Sequence, residues 1–102
     1  MSDDIVWHAP GNNPLSGTYR GKQEVFGLFA KIAATTDGPM QMSIHDILAN
    51  DDHVVALLKV TASRADRRLE GRAVHIMHMT NGQLTEFWNF PEDPAAGDEF
   101  WS

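Results

Sequence analysis

The apolar positions of this chain change period three times. Ile5 to His8 is a short β-type run closed by Ala9-Pro10-Gly11. Residues 11 to 21, with Gly11, Asn12, Asn13, Pro14, Gly17 and Gly21, carry loop chemistry. From Gly21 the spacing turns helical. Val25, Phe26, Leu28, Phe29, Ile32 and Ala33 recur at the 3.6-residue period, with Gly21 as N-cap, Glu24 three residues on and Asp37-Gly38-Pro39 as the stop.

Beyond Pro39 the period becomes that of strands. Met40, Met42 and Ile44 alternate with Gln41, Ser43 and His45, and Ile47 and Leu48 continue the run. Asn50-Asp51-Asp52 predicts a turn. In the strand from His53 to Ser63, Val54, Val55, Ala56, Leu57, Leu58 and Val60 put apolar groups on both faces, which predicts a central strand covered on two sides. A polar connection over residues 64–68 leads to a strand from Leu69 to Thr80. Asn81-Gly82 signals a type I′ hairpin into a last strand from Gln83 to Phe90, ended by Pro91-Glu92-Asp93-Pro94. A helical turn in the tail would return Phe100 and Trp101 to the body. The fold class is therefore α+β: a curved antiparallel sheet of about four to five strands, mostly a meander, against one main helix. With no repeat, low-complexity segment or linker, residues 1–102 read as one domain.

Composition narrows the function. A net charge of −6 argues against a general affinity for nucleic acid or anionic membrane. Arg64, Arg67, Arg68 and Arg72 form the only cationic concentration, and on an alternating strand they would keep one face wet. The lack of cysteine excludes disulfides, thiolate zinc sites and a cysteine nucleophile. No apolar run reaches the roughly 20 residues of a membrane helix. The acidic start, Met1-Ser2-Asp3-Asp4, does not read as a signal peptide, so a cytoplasmic location is expected. His75 and His78 would leave opposite faces of a strand, while His45 and His53 could approach across a turn. No histidine spacing suits a metal, and none is expected. Tyr19-Arg20-Gly21-Lys22 at a helix start is a weak anion-site signal without phosphate-loop glycine spacing.

Several segments together resemble the SnoaL-like and ketosteroid-isomerase-like branch of the nuclear-transport-factor-2-like superfamily, the cystatin-like α+β roll. They are Val6-Trp7-His8-Ala9-Pro10-Gly11 with Pro14, Ser16 and Gly17, then Tyr19-Arg20-Gly21-Lys22. Val74-His75-Ile76-Met77 and Asn81-Gly82-Gln83-Leu84-Thr85-Glu86-Phe87-Trp88 follow, with Phe90 to Pro94 and Asp98 to Trp101 at the end. The resemblance implies a conical ligand pocket and no cofactor. In the family one or two N-terminal helices precede the first strand and close that pocket. Here the likeness starts at the first strand, so a truncated roll is expected, without the helix that carries the isomerases' tyrosine.

The isomerases keep a carboxylate base at the end of the first strand, and the matching position is His8, three residues before Gly11. Their second acid falls at His75. An imidazole titrates near 6.5, so two histidines in one cavity could divide base and acid roles. Trp88, Phe90, Tyr19, Trp7, Met77 and Asp93 are the ligand contacts that the resemblance implies, with Trp88 the stronger pocket residue and core packing preferred for Trp7. The expected function is a pocket for a hydrophobic small molecule, as an isomerase or cyclase acting on a carbonyl compound by histidine-mediated proton transfer. The alternative is a non-catalytic oligomeric binding or interaction module with its sheet face buried between subunits. Uncovered apolar sheet favours a homodimer or higher oligomer in either case.

Overall fold

The computed structural model describes residues 1–102. In chain order the elements are β1 (Val6–Ala9), β2 (Gly17–Arg20), α1 (Lys22–Thr35), β3 (Gln41–Ala49), β4 (His53–Arg64), β5 (Arg67–Thr80), β6 (Gln83–Pro91) and α2 (Pro94–Trp101). One six-stranded sheet runs β2-β1-β6-β5-β4-β3. The α+β class and the helix-on-curved-sheet plan stand, but with six strands rather than four to five. The additional strand, β2, lies inside the expected 11–21 loop, where Gly17 opens a run of four residues that pair with β1 and Gly21 follows it. The meander β3 to β6 is antiparallel, whereas β1 runs parallel to β6.

Both helices sit on one face of the sheet, the concave one. The pleat assigns that face: paired residues share a side, and alternate residues along a strand change sides. Trp7, Phe87, Met77 and Val54 form one such row, and Trp7 meets Phe29 of α1 edge-on at a centroid distance of 5.0 Å. The core gathers here, with Ile5, Val25, Leu28, Ala56, Leu58, Ala62, Ala73, Phe87 and Phe100 buried. Strand β4 is therefore covered on one face only. Val55 and Leu57 on its other face are half-buried, because no element of this chain packs over them. The apolar residues of β3 remain exposed at the sheet edge.

The arginines do more than keep a strand wet. Arg64 and Arg67 donate to the carbonyls of Phe100, Glu99 and Ser102, satisfying the C-terminal end of α2 with cations. Asp93 caps the other end by accepting from the Ala96 amide, and Pro94 takes the first helical turn, where its missing N–H costs nothing. Arg72 grips Glu92 through two nitrogens, and these hydrogen bonds hold the Glu92 carboxyl below its usual range. Gly21 starts α1 at φ +82°, while Glu24 accepts from the Arg20 amide. The short helix α2 thus rests on its caps and on Phe100, which is 2% exposed. Phe100→Ala is expected to cost about 3–5 kcal/mol in urea unfolding. A loss below about 1 kcal/mol would mean that α2 does not anchor the core.

Candidate functional site

Between the helices and the concave face lies a cleft of about 1150 Å³. Its walls are largely apolar, with Leu28, Phe29 and Ile32 of α1 facing Val60, Ala73 and Phe87 of the sheet. Trp7 stacks on Phe87 with centroids 3.7 Å apart and planes at 17°, which makes a flat aromatic floor. One end is shut by α2, whose Asp98 Oδ1 accepts from the Asn12 amide and from Asn13 Nδ2. Gly11 permits that closure: a Cβ there would stand 2.1 Å from Asp98 Oδ1, and its φ is +87°. Concave shape, volume and a predominantly apolar wall area are the attributes of a small-molecule site.

The polar groups are set by a one-residue irregularity. Thr80 pairs with Gln83 and Met79 with Leu84, but His78 pairs with Glu86, so Thr85 is an extra residue in β6. The hairpin itself is regular, with Asn81 and Gly82 at φ 52° and 75°. Thr85 Oγ1 donates to the His78 carbonyl and secures the bulge. An unbroken ladder would set His75 opposite Trp88. The bulge instead sets His75 opposite Asn89 and Ile76 opposite Trp88. A slip of one residue exchanges faces, so Asn89 enters the cleft and Trp88 leaves it.

His75 lines the cleft with its ring edge-on to Phe87 at 4.8 Å. Burial pushes its pKa below the ordinary histidine value, since desolvation disfavours the imidazolium. Its ring nitrogens make no hydrogen bond within the chain. Asn89 is alike: its Oδ1 is buried without a partner. Asn89 escaped the sequence reading. The only signal for it was alternation from Phe87, and that signal needs the bulge to be known.

His8 belongs to the other face. Its register partners are Trp88 and Thr18, and its Nε2 lies 2.6 Å from Glu86 Oε2. The ring stacks on Trp88 at 5.3 Å, and Nδ1 is 3.4 Å from Thr18 Oγ1. His8 and His75 both border the cleft. The pleat nevertheless turns their imidazoles to opposite sides of the sheet, so the two rings do not face each other. Trp7, assigned to core packing, lines the cleft, whereas Trp88 stands on the outer face and Phe90 is 53% exposed there. Met77 shares the concave face one pair beyond His75, past the cleft wall. Tyr19 donates its hydroxyl to the Leu15 carbonyl and does not line the cleft. Asp93 does line it, while also capping α2.

The remaining sequence candidates resolve locally. His53 approaches His78 across the β4–β5 pair, with centroids 5.1 Å apart, rather than His45, which is the extra residue of a bulge in β3. No three His, Asp or Glu side chains converge in a way that could hold a metal. Lys22 at the start of α1 pairs with Asp3 at 3.0 Å. No helix is long and apolar enough to cross a membrane.

Known proteins share this architecture. An uncharacterized protein of Mycobacterium tuberculosis is 34% identical over 103 aligned residues, spanning all of this chain and 79% of its own length. A protein of unknown function with a cystatin-like fold from Xanthomonas campestris superposes with a TM-score of 0.94 at 29% identity, covering 100% of this chain and 80% of that one. Bal32a, from a soil-derived mobile gene cassette, reaches the same TM-score at 26% identity, covering 100% of this chain and 79% of its own. The SnoaL-like domain family matches residues 1–87, which take in β1 to β5, α1 and the bulged start of β6 to Phe87. With the cleft, its aromatic floor and the cystatin-like sheet all in place, this chain belongs to the SnoaL-like domain family.

Proposed function

We propose that the cleft binds a flat hydrophobic carbonyl compound and that His75 moves a proton on it. The observation that carries this reading is the partnerless, desolvated imidazole of His75 beside the stacked Trp7–Phe87 floor. Burial keeps the ring neutral near pH 7, so one nitrogen can accept a proton while the other donates a hydrogen bond. As base, the imidazole takes the proton from the carbon next to the carbonyl, and the C–H electron pair moves into the enolate. Return of that proton to another carbon completes an isomerisation, and attack of the enolate carbon on a second carbonyl is a cyclisation. Chemistry of this kind calls for no cofactor. The assignment to His75 alone replaces a two-histidine scheme, because His8 is held on the outer face by Glu86.

Exchange of α-hydrogen for deuterium in α-tetralone, followed by proton NMR, tests the reading. The protein should accelerate exchange, and His75→Gln should cut the acceleration by about 10²–10⁴-fold while leaving the affinity for the ketone within a few-fold. Bound ketone with no exchange would leave a binding domain without proton transfer. Exchange should also fall with decreasing pH through an inflection below 6.5, the ordinary histidine value.

The same burial couples folding to pH. In the unfolded chain His75 titrates at its ordinary value, and in the folded chain it titrates lower. Between the two values the unfolded state binds more protons, so stability is greatest above about 6.5 and declines as pH falls through that window. The melting temperature of the wild type should therefore fall relative to that of His75→Gln as the pH is lowered from 7 towards 5; parallel pH profiles would contradict the assignment.

A second reading rests on the outer face. Leu48, Val55, Ile76 and Trp88 form one row across four strands, and Leu57, Val74 and Phe90 form the next. Ion pairs rim one end, Lys59 and Arg68 on Glu70 and Arg72 on Glu92. An apolar centre within a charged rim has the make-up of a subunit interface, and a second copy of this chain would bury it. Sedimentation at micromolar concentration should show a dimer that Phe90→Asp and Val74→Asp dissociate. A monomeric wild type would end this reading without touching the cleft.

A further inference from the structure

The cleft holds a second polar group whose chemistry is distinct from that of His75. Asn89 is the direct cross-strand partner of His75, so the two side chains rise side by side from the concave face, with Cβ atoms about 5 Å apart. Both line the cleft. The Asn89 carboxamide takes part in no hydrogen bond within the chain, and its Oδ1 is sealed from solvent. Elsewhere along this chain polar side chains near the cleft are engaged: Asn13, Asp98, Glu92 and Arg72 all have partners. A buried acceptor left unpaired destabilises the folded chain, which is why native proteins carry few of them. The bulge at Thr85 is what turns Asn89 inward, and a regular hairpin would have presented Trp88 instead.

Resting on the reading of the cleft given above, we propose that Asn89 is a specificity-determining residue that accepts a hydrogen bond from a hydroxyl or N–H group of the ligand. The ligand class is thereby narrowed to carbonyl compounds that carry a donor group a few ångströms from the carbonyl. The carbon next to the carbonyl lies against the basic nitrogen of His75, and the donor group satisfies Asn89 Oδ1. A simple ketone fits the apolar walls but leaves the Asn89 acceptor unpaired, so it binds more weakly. In the observed orientation the sealed end of the carboxamide is its oxygen, which can only accept, so the matching ligand group is a donor. Asn89 is a positioning residue in this scheme: it fixes how the carbonyl lies against His75 and transfers no proton itself.

Two probes that differ by one group test the proposal: α-tetralone and its analogue with a hydroxyl on the saturated ring carbon opposite the carbonyl. Calorimetric titration of the wild type should show about tenfold tighter binding of the hydroxylated probe, the ratio that one added hydrogen bond to a buried acceptor supplies. Asn89→Leu, similar in volume and without polar atoms, should erase that preference, so that the two probes bind it with equal affinity. The same variant should melt at a higher temperature than the wild type in the absence of ligand, since it removes an unpaired buried acceptor; a structural asparagine would give the opposite sign. Equal affinities in the wild type, a preference that survives Asn89→Leu, or a lower melting temperature of that variant would each overturn the role of Asn89 and leave His75 and the cleft as they stand. Failure of the wild type to bind either probe would overturn this inference and the reading of the cleft together.

Discussion

The extra residue in β6 governs the chemistry of both sheet faces. Thr85 has no partner in β5, and its hydroxyl donates to the His78 carbonyl, which holds the ladder one residue out of register from there to Pro91. Because a strand alternates sides at every residue, that single insertion determines five placements at once: Phe87, Asn89 and Pro91 face the cleft, while Trp88 and Phe90 face out. The aromatic floor follows, since Phe87 is then in position to stack on Trp7 of β1. So does the outer cluster, where Glu86 and Trp88 receive His8. A regular hairpin would interchange these two sets.

The cleft and the outer face then have opposite electrostatic characters. In the cleft, His75 and Asn89 stand without partners, and desolvation rather than a neighbouring charge lowers the histidine pKa. On the outer face, polar groups are paired at the edges and apolar rows occupy the middle. Buried polar groups without partners cost stability, so native chains carry few of them. The sheet therefore separates unpaired polar groups on the cleft side from apolar rows edged by ion pairs on the other. Helix α2 borders the cleft side. It is clamped by Arg64 and Arg67 at one end, by Asp93 at the other, and tied to the 11–13 loop through Asp98.

Much of the architecture was legible along the chain. The α1 stripe, the Asn81-Gly82 hairpin and the β3-to-β6 meander all follow from local periodicity and turn chemistry, and their limits lie within a few residues of those observed. The family resemblance rested on the same segments and holds. Strand β2 was not legible, because the four residues Gly17–Arg20 carry almost no periodic signal and are strand only through pairing with β1. Among the site residues, His75 could be singled out from the family position, whereas Asn89 could not. Trp88 left its expected place in the cleft because the Thr85 bulge fixes the face that each later β6 residue occupies.

What the sequence determined by itself was therefore local: which segments are helix or strand, that one helix face and alternate strand positions are apolar, and that an imidazole stands on β5. These follow from backbone propensity and from side-chain period, which act over a few residues. Which side of the sheet each β6 residue occupies was decided only by tertiary structure. A bulge costs little locally and gains its stability from what it aligns across strands, here Phe87 on Trp7 and His75 beside Asn89. The polar pair that gives the cleft its chemistry comes from two strands whose relative register no local pattern in either strand specifies.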